Sequence, residues 1–563
     1  MEIRQQIIQD HIEKIAQLLN INEDRAFLRF GQSLIVGQSI HAFDPSDFVE
    51  GGQDKQIDVI TIEEGPDRAD VYILSFKNTN TFSSNALIQF HNGLKWIFNK
   101  RRKDLLALSN IRLKDKITEY RSLQSGFGPS NIRIIAGFIT NGFTSELSEE
   151  FQQEVRSIRD DYDNDTFEEF RLFIYGADEL VSVLNAQERR SRKINAEIKI
   201  RYDTNNPSLI KYYSEDLKGL VCSIPASEIA RLVNDDPDES IFDLNIRRFL
   251  GTRGAVNKDI LSTCTSTDFS HQFWFLNNGI TVVCDRFDAV TDPDNPKIIV
   301  ENLKIVNGCQ TATTIALAQR EGNLPADIRV LMRIYESTDP DLVNRIVLTT
   351  NNQNKISSRD LRANDPIQID MEKAFEIHNY YYERKVRQFD DAQLDPVRII
   401  PNELVAQAYL AIALKTPSDG RARKYKVWSE QYSRIFSGGN VEPYIICVLI
   451  LRNSIQWLGE SGLLEHSDEV NRKIAKLGTF HVARIAAYLW RGSDEWRLPV
   501  EDLRQNLETL EQNSTVLAHH LEQSFTQLQR LIRDNESFSG DIERALKSYE
   551  LDQQITRDLH TAS

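Results

Sequence analysis

The chain has 563 residues, with 67 Lys and Arg against 83 Asp and Glu, and its formal net charge is -16. This acidic balance excludes nucleic-acid binding through bulk positive charge, so phosphate contacts would need local basic patches. The 40% hydrophobic content excludes a disordered chain, the five scattered cysteines exclude a disulfide framework or zinc knuckle, and no apolar run is long enough to span a membrane.

The first third of the chain predicts one α/β domain over residues 1–190. Residues 1–42 have apolar positions at helical spacing and no proline, and they contain acids and lack a signal-peptide core, which favours a cytoplasmic protein. A Ser-capped helix is expected in SSNALIQFHNGLKWIFNK. Runs of β-branched and aromatic residues predict strands at 57–62, 71–76, 132–139 and 171–175. A Gly-Pro turn is expected to join the first two strands as a hairpin. Strands that alternate with helices argue for an α/β fold.

The remainder predicts a central α/β domain at 191–365 and a mainly helical region at 366–563. In the central domain, FWFLNNGITVVCD predicts strand–turn–strand, and further strands are expected at 297–301, 303–306 and 327–335. Helical patterns dominate afterwards, including DMEKAFEIHNYYYERK, whose tyrosines we expect to pack within a helix. The helical region is expected to pack on the central domain, and self-association into a homo-oligomer is a candidate role for it.

An acidic and a basic residue, Asp58 and Lys77, stand at neighbouring ends of the predicted hairpin strands. In an antiparallel pair these ends coincide, and a carboxylate there can hold a divalent ion against a phosphate while a lysine stabilises developing charge. Gly51 and Gly52 let the backbone approach a bulky polyanion. The alternative is a surface hairpin with a solvated Asp and Lys.

This layout resembles the PD-(D/E)xK, or restriction-endonuclease-like, superfamily and its Mrr-like and defence-associated members. The resemblance implies a restriction-endonuclease-like α/β fold and Mg²⁺-dependent phosphodiester hydrolysis, with Asp58 as metal ligand and Lys77 as catalytic lysine. Ser75 stands where the family pattern has Glu or Gln, so coordination would depend on Asp58, the Phe76 carbonyl and water.

A further carboxylate could replace the acid that is missing at position 75. Glu23 on the preceding helix is the first candidate, and Asp54 and Glu50 are substitutes. Two alternatives follow: a catalytic site with an altered second ligand, or a degenerate nuclease domain that still binds DNA.

Basic residues cluster downstream of the hairpin. In an acidic chain they suit a phosphate-contacting face, although a solvated helix surface would have the same composition. They are Lys95, Lys100, Arg101, Arg102, Lys103, Arg112, Lys114, Lys116 and Arg121.

A second constellation occupies the central domain, where NLKIVNGCQTATTIALAQ runs from a strand through Asn-Gly into a helix. This stretch is rich in Asn, Gln and Thr. The same richness in Asn, Gln, Arg and Thr is found in FDLNIRRFLG, FWFLNNGIT, TNNQNKISSRDLRANDP and YYYERKVRQF. Side-chain amides can read bases, a helix start can present N–H groups to an anion, and arginines can bind phosphates bidentately. The candidate binding residues are Asn278, Asn307, Gly308, Gln310, Thr311 and Arg362, with Arg247, Arg248 and Arg384 as further phosphate ligands. Asn and Gln that only satisfy backbone groups in tight turns are the alternative.

Taken together and in this order, these motifs resemble the AIPR (abortive-infection phage resistance) family over roughly residues 240–500. The resemblance implies a bacterial antiphage function and an N-terminal nuclease-like domain as the usual companion. IVNGCQTATTI also resembles, more distantly, the DGQQRxTT loop of ParB/sulfiredoxin-like domains. Asn307 replaces the acid of that loop, Cys309 its first Gln and Thr311 its Arg, while Gln310 is kept. The loss of the acid and the Arg favours a pocket that senses a nucleotide or binds nucleic acid over a hydrolase.

We therefore expect an abortive-infection effector: a Mg²⁺-dependent endonuclease acting on DNA rather than RNA, with a central domain that recognises nucleic acid or a nucleotide. The alternative is a non-catalytic sensor of nucleic acid or nucleotide with a degenerate nuclease domain.

Overall fold

A computed structural model gives the fold of the chain. It describes residues 2–40, 44–52, 54–65, 68–101, 103–128, 131–162, 167–200, 209–214, 217–237, 239–245, 255–266, 270–292, 294–351, 358–386, 388–389, 394–422, 424–465, 468–513 and 515–561. The chain divides into two compact units, Glu2–Ser191 and Arg192–Ser563.

The first unit is a mixed sheet with helices around it. Its elements are α1 (Ile3–Leu19), α2 (Glu23–Val36), β1 (Val59–Glu64), β2 (Ala69–Lys77), α3 (Ser84–Phe98), α4 (Ile111–Phe127), β3 (Ile132–Thr140), α5 (Glu149–Tyr162), β4 (Glu169–Tyr175) and α6 (Ala177–Ser191).

The strands of this unit lie in the order β1-β2-β3-β4. β1 and β2 form the expected antiparallel hairpin, while β2, β3 and β4 run parallel, because α3–α4 and α5 provide the crossovers. The four predicted strands and the Ser83-capped helix are confirmed. The N-terminal helical stretch is two helices, because Asn20 takes a left-handed conformation after α1 and Asn22 caps α2.

The second unit contains three sheets and most of the helices. Its elements are β5 (Ala196–Lys199), β6 (Leu209–Ser214), β7 (Leu217–Pro225), α7 (Ala226–Asn234), α8 (Ala255–Thr265), α9 (Phe273–Leu276), β8 (Ile280–Cys284), β9 (Arg286–Val290), β10 (Lys297–Glu301), β11 (Lys304–Asn307), α10 (Cys309–Arg320), β12 (Arg329–Glu336), α11 (Pro340–Asn351), α12 (Ser358–Arg362), α13 (Pro366–Ile377), β13 (Tyr381–Glu383), β14 (Ile399–Pro401), α14 (Asn402–Ile412), α15 (Pro417–Ala422), α16 (Lys424–Val427), α17 (Tyr432–Ile435), α18 (Glu442–Glu460), α19 (Glu469–Leu477), α20 (Thr479–Arg491), α21 (Val500–Gln512), α22 (Ala518–Arg533), α23 (Glu536–Ser539), α24 (Ile542–Ala545) and α25 (Tyr549–Thr561).

The largest sheet of this unit has five strands in the order β11-β8-β12-β7-β6. One face packs on α7, α8 and α10 through a core that includes Ile224, Ile280 and Met332. A three-stranded sheet, β5-β10-β9, and the parallel pair β13–β14 complete the β-structure of the described chain.

Two predictions about this unit are wrong. Phe273–Leu276 is the short helix α9 rather than a strand, so Asn277–Gly279 joins a helix to β8. Tyr381 and Tyr382 lie in β13, not in a helix, because the chain leaves α13 through the left-handed Asn379. The strands expected at 297–301, 303–306 and 327–335 are confirmed.

The region after β14 is mainly helical, as predicted. Helices α14, α18, α20 and α22 pack in succession around a core of aliphatic residues. Arg484, almost fully buried, is held by Asp494 with a nitrogen–oxygen distance of 2.7 Å. Among the described helices, none has the length and apolar character needed to cross a membrane.

Candidate functional site

Asp58 and Lys77 meet at one end of the β1–β2 hairpin. Because Val59 pairs with Leu74, continuing the register by one residue sets Asp58 opposite Ser75, with Lys77 two residues further on the same face. The Lys77 Nζ lies 3.4 Å from the Asp58 Oδ2. The hairpin geometry therefore brings together the acid and the lysine predicted from the sequence.

The Asp58 carboxylate also accepts a hydrogen bond of 2.7 Å from the backbone N–H of Phe76. In a strand, the N–H and C=O of one residue point to the same side, so the Phe76 carbonyl points towards the side that Asp58 occupies. The Ser75 side chain is fully buried, and its hydroxyl has no hydrogen-bond partner in the described structure. A buried unpaired hydroxyl is costly, and this one lies at the position of the family's second acid.

Burial controls the charge of Asp58. Its side chain is 10% exposed and that of Lys77 is 27% exposed, so the lysine forms the more accessible part of the pair. Desolvation by burial raises the pKa of Asp58, and the negative charge of Asp54 raises it further. The ammonium of Lys77 and the hydrogen bond from the Phe76 N–H lower this pKa, but they offset the increase only in part. The site thus holds its carboxylate in an environment that favours protonation.

The turn before β1 contains a second acid, Asp54, whose charge acts on Asp58. Asp54 accepts hydrogen bonds from the backbone N–H groups of Gly51, at 3.1 Å, and Gln56, at 2.9 Å. Lys55 and Gln56 follow it in left-handed conformations, with φ of 60° and 62°. Two successive strained residues persist only where their surroundings fix them, and such strain concentrates at functional sites.

Two other predicted acids have different partners. Glu23 is exposed at the start of α2 and accepts a hydrogen bond of 2.9 Å from Gln9. Glu50 pairs with Arg25 at 3.0 Å. Among the described contacts none joins either acid to Asp58, so Asp54 is the better second carboxylate.

The predicted metal set is sparse. No group of three or more His, Cys, Asp or Glu side chains in the described chain is arranged to hold a metal ion. Mg²⁺, however, commonly uses one or two carboxylates together with water and substrate phosphate, and Asp58 with Asp54 and the Phe76 carbonyl matches that smaller set of hard oxygen ligands.

The basic cluster is only partly a surface feature. Lys116 is buried and pairs with Asp47 at 2.8 Å, so it is not part of a phosphate-contacting face, and that prediction is wrong. Lys95 pairs with Asp161 at 3.3 Å. Exposed side chains include Lys100, Arg101, Lys103 and Arg112, and Arg102 lies outside the described residues.

The strand–Asn-Gly–helix junction in the second unit is a crossing of two loops. Gly308, with φ of 92°, caps α10, and a Cβ on it would lie 2.8 Å from the carbonyl oxygen of Gly279. Gly279, with φ of 79°, is equally close to β12, because its Cβ would lie 2.4 Å from the carbonyl oxygen of Leu331. Only glycine fits both positions.

Asn277, which was not among the predicted ligands, ties the two loops together. Its Nδ2 donates to the Thr311 hydroxyl at 3.1 Å, and its Oδ1 accepts from the Gly279 N–H at 2.8 Å. The clue in the sequence was the Asn-x-Gly spacing, which is typical of an Asn that satisfies the backbone two residues on. Thr311 is therefore bonded within the protein rather than presented to a ligand.

Asn307 also has an internal partner, because its side-chain amide donates to the Thr350 carbonyl of α11. Asn351 donates in turn to the Val306 carbonyl at 2.8 Å. The amides at the end of β11 and the end of α11 thus join these elements. Asn278 and Gln310 also have partners within the protein.

The predicted arginines serve other contacts. Arg362 pairs with Asp365 at 3.1 Å and lies over the Tyr432 ring at 4.5 Å, and no described contact joins it to the Gly308 junction. Arg384 is held by Glu372 at 2.7 Å. Arg247 and Arg248 lie outside the described residues. The expected convergence of Arg362 on the junction stays a prediction without a supporting contact.

Comparison with known proteins adds one match. The model of the family described as AIPR protein matches residues 242–526, half of the chain. The chain belongs to the AIPR family. Membership in the AIPR family indicates a role in abortive-infection defence against phage. The AIPR match includes the Gly279–Gly308 junction and ends within α22, whereas the Asp58–Lys77 pair lies outside it. No curated protein and no solved structure matches the chain.

Proposed function

We propose that the protein is an antiphage effector whose N-terminal unit hydrolyses the phosphodiester bonds of DNA at the Asp58–Lys77 pair. The observation that carries the proposal is the distance of 3.4 Å between the Lys77 Nζ and the Asp58 carboxylate at the open end of a hairpin. AIPR membership supplies the biological setting, since destruction of nucleic acid is an effective response to infection.

Each residue has a distinct task in this proposal. Asp58 and Asp54, with the Phe76 carbonyl, would hold Mg²⁺, which supplies charge stabilisation at the scissile phosphate. Lys77, the more exposed member of the pair, donates to a non-bridging phosphate oxygen as charge builds there. Water adds to phosphorus and releases one proton to solvent, while the bond to the leaving sugar oxygen breaks and that oxygen takes up one proton from solvent.

The unpaired Ser75 hydroxyl supports a polar ligand at this site. A fully buried O–H without a partner would gain a hydrogen bond by donating to a metal-bound water or to a phosphate oxygen. The hydroxyl is a weaker ligand than the carboxylate of the family pattern, so we expect weak metal affinity.

Plasmid cleavage tests the proposal. Wild-type protein with Mg²⁺ should nick or linearise DNA, and Asp58→Ala and Lys77→Ala should abolish this. Asp70→Ala is the matched control, because Asp70 is also an acid of this hairpin but pairs with Arg133 on β3. Cleavage that persists in both site variants, or that is lost equally in the control, would contradict the proposal.

A second candidate is a non-catalytic sensor, and Ser75 in place of an acid favours it. In that case the wild-type chain binds DNA without cleaving it under Mg²⁺ or Mn²⁺, and Lys77→Ala weakens binding alone. The same plasmid assay, combined with a binding measurement, separates the two functions.

A further inference from the structure

The five-stranded sheet of the second unit is covered unequally on its two faces. Along β12, Val330, Met332 and Ile334 are fully buried against the helices, whereas the alternating residues, among them Arg333 and Tyr335, are partly exposed on the other face. On that other face α11 covers β8 and β11 through a small apolar cluster of Val283, Val306 and Val347. The part formed by β12, β7 and β6 lies beyond this cluster.

The strand register aligns aromatic and apolar side chains across this part of the sheet. Tyr212, Gly219 and Tyr335 form one row, since Tyr212 pairs with Gly219 and Gly219 with Tyr335. A Cβ on Gly219 would lie 3.5 Å from the Tyr335 ring, so this ring lies over the glycine. Tyr212 itself is 66% exposed. The row therefore presents two tyrosine side chains, with no side chain on the glycine between them.

The next row is formed by Ile210, Val221 and Arg333. Ile210 is 68% exposed, and the Arg333 guanidinium donates to the Asn278 carbonyl at 3.2 Å. We name the surface formed by Ile210, Tyr212, Val221, Arg333 and Tyr335 the open sheet face.

The charge of the open sheet face differs from that of the chain. The residues that β6, β7 and β12 direct to this face include Arg329 and Arg333 and no Asp or Glu, in a chain of net charge -16. Arg333 makes no ion pair within the described part of the chain. A cationic, acid-free surface with aromatic rings is complementary to a polyanion whose bases can stack.

Further exposed apolar residues lie on the helix that leads into β8. Helix α9 packs against β12, and its Phe275 and Leu276 are 78% and 67% exposed. The Trp274 ring lies edge-on to that of Phe275, with 5.2 Å between the centroids. Exposed apolar patches of this kind mark binding surfaces in soluble proteins.

We propose that the open sheet face binds single-stranded nucleic acid, with bases stacking on Tyr212 and Tyr335 and a phosphate on Arg333. Single strands are the fitting form, because the bases of a duplex are stacked on one another and do not reach aromatic rings on a flat sheet. This inference rests on the proposed function for its biological role and names the surface that holds the nucleic acid. That surface belongs to a different unit from Asp58.

Fluorescence anisotropy of the full-length protein in EDTA tests binding without cleavage. The probes are fluorescein-labelled oligo-dT and oligo-U of about 20 nucleotides, longer than the roughly 4–16 nucleotides that a single-strand-binding fold covers. Tyr212→Ala should weaken binding about tenfold, given the typical contribution of one stacked base. Arg333→Gln should also weaken binding and should reduce its salt dependence, because it removes a phosphate contact. The two probes distinguish DNA from RNA, and tighter binding of either supports the proposal.

Tyr213→Ala is the matched control. Tyr213 is the neighbour of Tyr212 on β6, has the same side chain and a similar exposure of 61%, and points to the opposite side of the strand. Binding should stay within about twofold of wild type in this variant. Equal losses in Tyr212→Ala and Tyr213→Ala, absence of binding to both probes, or equal affinity for a duplex would overturn the proposal.

Photocrosslinking gives a readout that does not depend on the stability of a variant. Ultraviolet irradiation of the wild-type complex should attach the oligonucleotide to peptides that contain Tyr212 or Tyr335, and crosslinks confined to the first unit would overturn the assignment. If the wild-type chain binds through Tyr212 but cleaves no DNA, the nuclease proposal fails and this inference stands. If it cleaves in an Asp58-dependent way without single-strand binding, the reverse holds.

Discussion

The loop crossing in the AIPR-matched region predicts a large stability loss for Gly279→Ala. Gly279 has φ of 79°, and a Cβ at this position would lie 2.4 Å from the Leu331 carbonyl oxygen and 2.9 Å from the Leu331 Cβ. Neither neighbour is the far end of a flexible side chain, so β8 and β12 must shift to admit the methyl group.

Two terms set the size of the effect. A left-handed conformation costs a non-glycine residue about 1–2 kcal/mol, and overpacking against a fixed neighbour costs about 1–3 kcal/mol. Gly279→Ala should therefore destabilise the second unit by about 2–5 kcal/mol. Gly322→Ala is the matched control, because Gly322 has φ of 74° but nothing within 4 Å of its Cβ position, so only the first term, about 1–2 kcal/mol, applies.

Urea unfolding followed by tryptophan fluorescence measures the difference. Five of the six tryptophans belong to the second unit, all except Trp96, so the signal reports mainly on that unit. Gly279→Ala should unfold at lower urea than Gly322→Ala, with an unchanged denaturant slope. Equal midpoints for the two variants would refute the close approach of the Gly279 loop to β12.

Other predictions concern buried polar groups. Burial raises the pKa of Asp58 above its ordinary value of 3.8, so between these two pKa values the folded protein holds a proton that the unfolded chain has released. The free energy of unfolding should therefore fall as the pH rises from 3.8 through the raised pKa. Asp58→Asn should remove this pH dependence when unfolding is measured at a series of pH values. Lys116→Met should destabilise the first unit by about 3–5 kcal/mol in urea unfolding, because it leaves the buried Asp47 carboxylate without its cation; a loss below about 1 kcal/mol would refute this. Asn277→Ala should cost about 1–3 kcal/mol, since the Thr311 hydroxyl loses its partner, and a melting temperature equal to that of wild type would contradict it.

The fold was predictable where local pattern and turn chemistry agreed. The β1–β2 hairpin combines β-branched runs with a Gly-Pro turn, and its antiparallel register alone sets Asp58 beside Lys77. The mixed α/β architecture and the helical C-terminal region were predicted on the same grounds. The proposed identity of each domain, and the boundaries at 190 and 365, stay predictions.

Short apolar runs were the weak point of the sequence analysis. The four residues of α9 have the composition of a buried strand, but three of them are exposed, and periodicity cannot separate helix from strand over so short a run. Tyr382 was expected in a helix for the same reason. In the structure it lies in β13, and its hydroxyl donates to the side-chain oxygen of Gln368.

Long-range partners were beyond the reach of the sequence. Asn307 and Thr311 were correctly identified as polar residues at a strand–helix junction, but their partners, Thr350 and Asn277, are 43 and 34 residues away. Lys116 has the composition of a surface residue in a basic run, and only the packing of α4 against the Asp47 turn reveals its burial. Charge and spacing in the sequence suggested that these polar residues bind a ligand. In the structure, their side chains instead form tertiary contacts that join helices, strands and turns.

The central claim is that the Asp58–Lys77 pair forms a nuclease centre, and single-turnover kinetics test it most directly. Labelled DNA held in excess protein with Mg²⁺ should be cleaved by wild type, and Lys77→Ala should slow the chemical step by about 10²–10³-fold, the usual effect of removing one donor that stabilises transition-state charge. DNA binding measured in parallel should change far less. A Lys77→Ala rate within about twofold of wild type would contradict the account.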